Sequence, residues 1–183
     1  MIIGTKRLLE LVAECDLVEG LCERELTEPE GEGFDLRVGS VYVLDEGVGF
    51  LGVRERSTPT TKMIVRYDSS REVQPIYSLN PGDYILVKTI ESLNLPRDVS
   101  AVFTPRTTLF RSGVELITSN TSPGYSGGLT FGMKNIGYRE FQLELGARIA
   151  TAIFHETSEN VSGYRGQWGG GRISTEGQSE EQV

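Results

Sequence analysis

Apolar side chains fall at alternate positions in a series of short stretches that runs through most of the chain. Such alternation is typical of β-strands with one buried face, and Pro-Gly pairs at 81–82 and 123–124 mark turns between stretches. The first stretch changes its alternation at Gly39, which predicts a bulge or bend. The predicted strands span 34–44, 62–67, 74–79, 83–93, 99–104, 113–118, 129–135, 141–145 and 147–154. Many short strands bounded by turns predict an all-β barrel or sandwich.

The N-terminal part follows other patterns. Residues 5–15 repeat apolar positions with helical spacing, so we expect a short amphipathic helix with Thr5 as its N-cap. Residues 24–33 are acidic and broken by proline and glycine, which predicts a solvated loop.

The C-terminal part has no hydrophobic period. Glycines with aromatic and basic residues at 162–174 suit a mobile segment that closes over an anionic or aromatic ligand. Residues 175–183 are polar and acidic, which predicts a disordered tail. We expect residues 1–174 to form a single domain.

The net charge of −8 over 183 residues argues against a nucleic-acid groove as the main function. A small anionic ligand needs only local positive charge, and the second half of the chain concentrates basic residues, namely Arg106, Arg111, Lys134, Arg148, Arg165 and Arg172. No apolar run approaches the roughly 20 residues that span a bilayer. The N-terminus carries charges where a signal peptide needs an apolar segment. We therefore expect a cytoplasmic protein without nucleic-acid or membrane partners.

The residues that bind soft metals are few. A zinc nucleobase deaminase needs a histidine or cysteine followed by a Cys-x-x-Cys pair, and Cys15, Cys22 and His155 cannot supply that pattern. This predicts no zinc. His155 ends an apolar run, where a strand-end histidine is a better interpretation than the base of a catalytic triad.

The stretch from Pro105 to Asn135 carries the clearest candidate chemistry. Arg106 and Arg111 flank a Thr-Thr pair, and the stretch ends on a glycine-rich turn that runs into a strand. Arginine presents a planar charged fork to phosphate oxygens, while hydroxyls and glycine-loop amides supply neutral donors. The alternative is a surface arginine pair beside an ordinary hairpin.

Five segments in this order resemble the motifs of the trimeric dUTPase and dCTP deaminase superfamily, and together they cover the chain from about residue 5 to 174. They are GFDLRVG (33–39), the segment 79–113 with PRTTLFRSG, PGYSGGLTFGMKN (123–135), LGARIATAIF (145–154) and YRGQWGG (164–170). The resemblance implies a distorted jelly-roll-like β-barrel (dUTPase-like) with a short N-terminal helix. It also implies a homotrimer with active sites shared between subunits, and a deoxynucleoside triphosphate ligand whose phosphates carry Mg²⁺.

The resemblance further assigns roles to individual residues. Arg106, Thr107, Thr108 and Arg111 fall where the family holds triphosphate oxygens. Tyr164 and Gln167 fall on the C-terminal segment that covers the phosphates and the base. Thr118, Ser119 and Tyr125 fall on the hairpin that reads the base and stacks on the deoxyribose. The metal has no protein ligands in this scheme, since Mg²⁺ is held by the phosphates.

Two positions depart from the family pattern. Ser122 stands where these enzymes usually carry an aspartate, and Gly132 stands where deaminases carry a glutamate that transfers protons. Glycine cannot transfer a proton, and serine is a poor base. Phosphoryl transfer depends mainly on positioning and charge neutralisation, so Ser122 could orient the attacking water, or Asp35 or Glu115 could replace the missing aspartate.

Three functions therefore follow from the sequence. The first is hydrolysis of dUTP, or of dCTP, to the monophosphate and pyrophosphate, as in archaeal-type dUTPases, which look similar in lacking the deaminase glutamate. The second is deamination of dCTP to dUTP. The third is a catalytically impaired homologue that binds nucleotides in a regulatory role.

Overall fold

All nine strands that the alternation predicts are present in the structure, a computed structural model that describes residues 1–182. The strands are β1 (Val18–Glu19), β2 (Gly33–Leu44), β3 (Phe50–Leu51), β4 (Glu55–Ser57), β5 (Thr61–Arg66), β6 (Ile76–Leu79), β7 (Tyr84–Asn94), β8 (Val99–Pro105), β9 (Val114–Ile117), β10 (Ser126–Asn135), β11 (Phe141–Glu144), β12 (Arg148–Glu156) and β13 (Glu180–Glu181). The helices are α1 (Thr5–Cys15), α2 (Glu23–Thr27) and α3 (Thr107–Arg111), with a 3₁₀ turn at Gly169–Gly171. The predicted all-β class with a short N-terminal helix is confirmed.

Eight strands form one antiparallel sheet that closes nearly into a barrel. Its order is β8–β12–β2–β7–β10–β9, with β5 beside β2 and β1 beside β7. The bulge predicted at Gly39 is confirmed, because the register of β2 against β7 shifts between Val38 and Ser40. Before the bulge β2 pairs with β12, and after it β2 pairs with β5. This bend lets one long strand serve two sides of the barrel.

The interior of the barrel is filled by the alternating apolar side chains. Phe34 and Phe154 are fully buried and meet edge to face, with ring centroids 6.1 Å apart. Helix α1 packs against this core through Leu8. Its N-cap is Gly4 and not Thr5 as predicted, because the helix already includes Thr5. Within residues 1–182, no helix has the length and apolar character to cross a membrane.

The acidic stretch 24–33 is not wholly the solvated loop that its composition predicts. Residues 23–27 form α2, whose Glu25 is buried. The Glu25 carboxylate pairs with Arg24 and accepts a hydrogen bond of 3.0 Å from the backbone N–H of Asp35. Burial of this carboxylate depends on partners that composition cannot reveal.

Residues 175–182 also differ from the disordered tail that the sequence predicts; Val183 lies outside the described residues. Strand β13 pairs with β4, which in turn pairs with β3, in a small three-stranded sheet. Thr175 is buried, and its backbone N–H and hydroxyl oxygen bond to Thr58 at 2.8 and 2.9 Å. Polar composition is compatible with order here because backbone pairing, and not apolar burial, fixes the segment.

Candidate functional site

A cavity with a volume of about 530 Å³ lies against the sheet. Strands β7, β8 and β10, the loop after β9 and the glycine-rich C-terminal segment all contribute to its walls. Its aromatic lining consists of Tyr84, Phe103, Tyr125, Phe131, Tyr164 and Trp168. Its polar lining includes Ser119, Asn120, Thr121 and Thr130. An apolar cavity of this size with a few convergent polar groups is the usual form of a small-molecule site.

The glycine-rich segment 162–174 contributes Tyr164, Trp168 and Arg172 to the wall of this cavity, and its closing over a ligand stays a prediction. The rings of Tyr125 and Tyr164 meet edge to face with centroids 5.1 Å apart. The Tyr125 hydroxyl donates to the carbonyl of Gly128 at 2.7 Å and lies 3.3 Å from the carbonyl of Trp168. Lys88 Nζ donates to the carbonyl of Gly171 at 2.7 Å. These contacts join the segment to β7 and β10.

Glycine is needed where the segment meets β10. Gly127 has φ +134°, and a Cβ there would clash with the backbone of Gly170 and Gly171. Gly171 has φ +74°, and a Cβ on it would lie 2.8 Å from the N atom of Gly128. The two glycine runs therefore let the chain approach β10 at backbone-to-backbone distance.

Burial raises the pKa of two tyrosines that line the cavity. It raises the pKa of Tyr125 to about 12, with a smaller contribution from the adjacent Tyr164. Burial also raises the pKa of Tyr84. Both phenols therefore keep their protons at neutral pH and can donate hydrogen bonds.

A cluster of arginines lies around the buried carboxylate of Asp35. Arg106 Nη1 lies 3.0 and 2.8 Å from the two carboxylate oxygens, and Arg148 Nη1 lies 2.9 Å from Oδ2. Arg24 Nη1 is 3.6 Å away, and the Thr151 hydroxyl donates to Oδ1 at 2.7 Å. Each of the three guanidinium groups stays about a third exposed. Sequence analysis missed Arg24 as a member and gave Arg148 no role, since only the pairing of β2 with β12 and the position of α2 bring them here.

The structure brings some of the predicted nucleoside-binding residues together. Ser119, Tyr125 and Tyr164 line the cavity. Thr118 stands beside it, and its hydroxyl donates to the carbonyl of Phe103 at 3.1 Å. The predicted phosphate-binding residues lie elsewhere in this chain. Arg106 precedes α3, Thr107, Thr108 and Arg111 belong to α3, and none of them is among the lining residues.

Gln167 also lies apart from the arginines. Its Nε2 donates to the carbonyl of Glu181 at 2.6 Å, while its Oε1 is buried without a partner among the described residues. In this chain Gln167 therefore joins the closing segment to the C-terminal strand.

The two candidate catalytic residues are not equivalent. Ser122 is exposed in the turn before β10, where its carbonyl accepts from the N–H of Tyr125 at 3.2 Å, and it does not line the cavity. Asp35 is 5% exposed and its oxygens are occupied by Arg106, Arg148 and Thr151. An engaged carboxylate of this kind positions arginines and is poorly placed to accept a proton from water.

Position 132 has a definite structural environment. A Cβ on Gly132 would lie 2.7 Å from the Tyr84 hydroxyl and 3.2 Å from Cε2 of the same ring. The phenol thus lies over the position from which a longer side chain would project. Among residues 1–182, no group of three or more histidine, cysteine, aspartate or glutamate side chains could hold a metal ion.

Comparison with known proteins agrees with this architecture. A structure of 2′-deoxycytidine 5′-triphosphate deaminase from Agrobacterium tumefaciens has a TM-score of 0.64 at 17% identity over 85% of this chain, which spans 48% of that chain. Fold and cavity thus define a barrel protein with an aromatic-lined cavity. The dCTP deaminase-like family (DCD) matches residues 6–157. The chain belongs to this family.

Two curated relatives carry names of different activities. The probable deoxyuridine 5′-triphosphate nucleotidohydrolase of Methanothermobacter thermautotrophicus is 33% identical over 153 residues, which is 84% of this chain and 89% of the relative. The dUMP-forming dCTP deaminase of Aquifex aeolicus is 28% identical over 156 residues, which is 84% of this chain and 81% of the relative. Family membership therefore leaves the reaction open between hydrolysis and deamination.

Proposed function

We propose that this protein hydrolyses dUTP to dUMP and pyrophosphate. The observation that carries the choice within the family is position 132, where the chain has a glycine covered by the Tyr84 hydroxyl. Deamination needs a group that moves protons to and from the attacking water and the leaving ammonia. Hydrolysis of the bond between the α-phosphorus and its bridging oxygen needs mainly positioning and charge neutralisation. The name of the Methanothermobacter thermautotrophicus relative supports the same choice.

In this proposal the arginine cluster and the cavity hold different parts of the substrate. Asp35 fixes one edge of Arg106 and of Arg148, and the exposed parts of these side chains and of Arg111 bind triphosphate oxygens. The hydroxyls of Thr107 and Thr108 add neutral donors. The nucleoside occupies the aromatic cavity, where Tyr125, Tyr164, Thr118 and Ser119 surround it. Ser122 orients the attacking water.

The separation of these two parts supports the proposal of a homotrimer. Since Arg106 and Arg111 are not among the cavity's lining residues, a second copy of the chain would supply them to complete the site. The outer face of the sheet also exposes apolar side chains that a neighbouring copy could cover, including Leu44, Met63 and Ile117. Gln167, which the resemblance predicts to bind phosphate, would then lie near the arginines of the second copy and bind the same triphosphate.

Magnesium enters the proposal as part of the substrate complex. The described residues offer no carboxylate cluster for it, and Asp35 is occupied by arginines. Its ligands would be phosphate oxygens and water, and its contribution would be to neutralise phosphate charge. A cytoplasmic location is part of the same proposal, because deoxynucleoside triphosphates are found there.

One experiment tests the proposal against its two alternatives. The purified protein is incubated with each deoxy- and ribonucleoside triphosphate plus Mg²⁺, and pyrophosphate, ammonia and nucleotide products are followed. Pyrophosphate from dUTP is the expected result. Ammonia from dCTP would establish the deaminase alternative, which the name of the Aquifex aeolicus relative favours. Tight binding without either product would support the regulatory homologue, which the exposed position of Ser122 outside the cavity lining favours.

A further inference from the structure

Two hydroxyl groups in the cavity have no protein partner. Thr130 Oγ1 is buried and makes no hydrogen bond. The Tyr84 hydroxyl makes none with any residue between 1 and 182; Tyr84 lines the cavity and is 38% exposed, so its hydroxyl is open to a ligand. A buried hydroxyl without a partner costs free energy, so buried polar groups in proteins are nearly always satisfied. The buried Thr130 hydroxyl therefore indicates that a ligand supplies the missing hydrogen bond, and the free Tyr84 hydroxyl in the lining of the same cavity can donate to that ligand.

Both residues relate to Gly132 through strand geometry. Residues 130 and 132 are two positions apart on β10, so their side-chain directions share one face of the strand. Tyr84 opens the neighbouring strand β7, paired with Lys134, and its ring crosses diagonally to place the hydroxyl 2.7 Å from a Cβ on residue 132. The absence of a side chain at Gly132 is therefore what leaves room for the phenol on the face of β10 that also carries Thr130.

The chemistry of this pair limits the ligand. The aromatic lining fits a flat ring, and two adjacent hydroxyls fit a ring edge that carries neighbouring hydrogen-bonding atoms. A 4-oxo pyrimidine presents a carbonyl oxygen next to an N–H, whereas a 4-amino pyrimidine presents an amine next to a bare nitrogen. A phenol is a strong donor but a weak acceptor, because its oxygen lone pair is delocalised into the ring. It therefore bonds better to the carbonyl than to the amine.

We propose that Tyr84 and Thr130 are specificity-determining residues that bind the imide edge of a 4-oxo pyrimidine. The Tyr84 hydroxyl donates to the O4 carbonyl, and the Thr130 hydroxyl accepts from the adjacent N3–H. This assignment rests on the proposed function, since it names the groups that select the base at the same site.

The test measures binding of the non-hydrolysable α,β-imido analogues of dUTP, dTTP and dCTP by calorimetry. Tyr84→Phe is expected to weaken binding of the dUTP analogue about tenfold, because one hydrogen bond is lost. Binding of the dCTP analogue is expected to weaken by less than about threefold. Thr130→Val is expected to weaken the dUTP analogue by a similar factor, and Thr130→Ser to restore it. The matched control is Tyr138→Phe, because Tyr138 is 94% exposed. If Tyr84→Phe leaves the ratio of the affinities for the dUTP and dCTP analogues unchanged, the inference is overturned.

The same variants separate this inference from the proposed function. If the wild type releases pyrophosphate from dUTP while Tyr84→Phe keeps the full preference for the dUTP analogue, the inference fails and the function stands. If the wild type releases none, but Tyr84→Phe loses the preference, the function fails and the inference stands. Equal weakening of all three analogues would indicate a merely structural role for Tyr84 and overturn the inference. Gly132→Ala would push the phenol aside. We therefore expect it to change the ratio of dUTP-analogue to dCTP-analogue affinity as Tyr84→Phe does.

Discussion

Arg106 donates from one nitrogen to both carboxylate oxygens of Asp35, at 2.8 and 3.0 Å. The carboxylate is buried in β2, and the arginine directly follows β8, which lies two strands away in the sheet. Asp35 therefore fixes the direction of a candidate phosphate ligand while leaving about a third of its side chain exposed. Charged groups that are held in place before the substrate arrives bind a triphosphate without a further ordering cost.

We expect Asp35→Asn to lower both stability and triphosphate affinity. Loss of a buried ion pair costs about 3–5 kcal/mol when both partners are buried. Here the arginines are partly exposed, so we expect about 2–3 kcal/mol in the free energy of unfolding. Chemical denaturation and calorimetric titration with the dUTP analogue measure the two effects. Asp45→Asn, at an exposed position, is the control, and equal behaviour of the two variants would contradict the positioning role.

Arg111→Ala is expected to weaken triphosphate binding by about 1.5–3 kcal/mol, the contribution of charge-assisted hydrogen bonds. Arg111 ends α3 and is exposed, so its removal should leave the melting temperature unchanged. Calorimetric titration measures the affinity. Arg71→Ala, at another exposed arginine, should bind as the wild type does. Unchanged affinity in Arg111→Ala would show that Arg111 does not bind the triphosphate.

The raised pKa of Tyr125 predicts a loss of stability at high pH. Its phenol titrates at about 12 in the folded chain and near 10 when unfolded. The folded state therefore favours the protonated form, and this contribution is full below pH 10 and lost as the pH rises through 12. Two pH units correspond to about 3 kcal/mol. Absorbance titration of the phenolate in the wild type and in Tyr125→Phe should differ by one late-titrating group, and in guanidinium chloride that extra group should titrate with the other tyrosines near 10.

Gly132→Glu is expected to produce no ammonia from dCTP, although it adds a carboxylate where deaminases carry one. Its Cβ would lie 2.7 Å from the Tyr84 hydroxyl, so the variant should lose about 1–3 kcal/mol of stability through overpacking. Ammonia release and thermal unfolding are the measurements. Adding Tyr84→Phe should recover part of the stability. In the control Gly49→Glu the nearest atom is 3.7 Å away, and no comparable destabilisation is expected.

Thr175→Val should loosen the segment that lines the cavity. The variant loses the hydrogen bond from the Thr58 N–H to the Thr175 hydroxyl, at 2.9 Å, and leaves that N–H unpaired, at a cost of about 1–2 kcal/mol. Trp168 is the only tryptophan in the chain, so its emission should shift to the red as the segment opens. Thr104→Val, at an exposed threonine, serves as the control. Identical emission in the two variants would contradict the link between Thr175 and the segment.

Sequence patterns predicted the barrel well because alternation reports directly which face of a strand is buried. All nine predicted strands, the N-terminal helix and the bulge at Gly39 are present. The patterns missed α2, α3 and the strands β1, β3, β4 and β13, since elements of two to five residues carry too few side chains to show a period.

Long-range pairing explains the other differences. The acidic tail is ordered because the backbone of β13 pairs with that of β4, which lies about 125 residues earlier in the chain. Amino-acid composition carries no information about such a long-range pairing. Ser119, Tyr125 and Tyr164 line one cavity as the sequence leads us to expect for nucleoside-binding residues. Their role in binding, and that of the predicted phosphate ligands, stays a prediction.

The sequence by itself determined the fold class, the family and the residue types offered to a nucleotide, because these depend on local periodicity and on motifs of short span. Only the tertiary structure decided which of those residues are free to act. In the folded chain Arg106 and Arg148 bind the Asp35 carboxylate, and the Tyr84 hydroxyl lies over Gly132. Both relationships join residues on different strands, and their contacts arise only when the barrel closes.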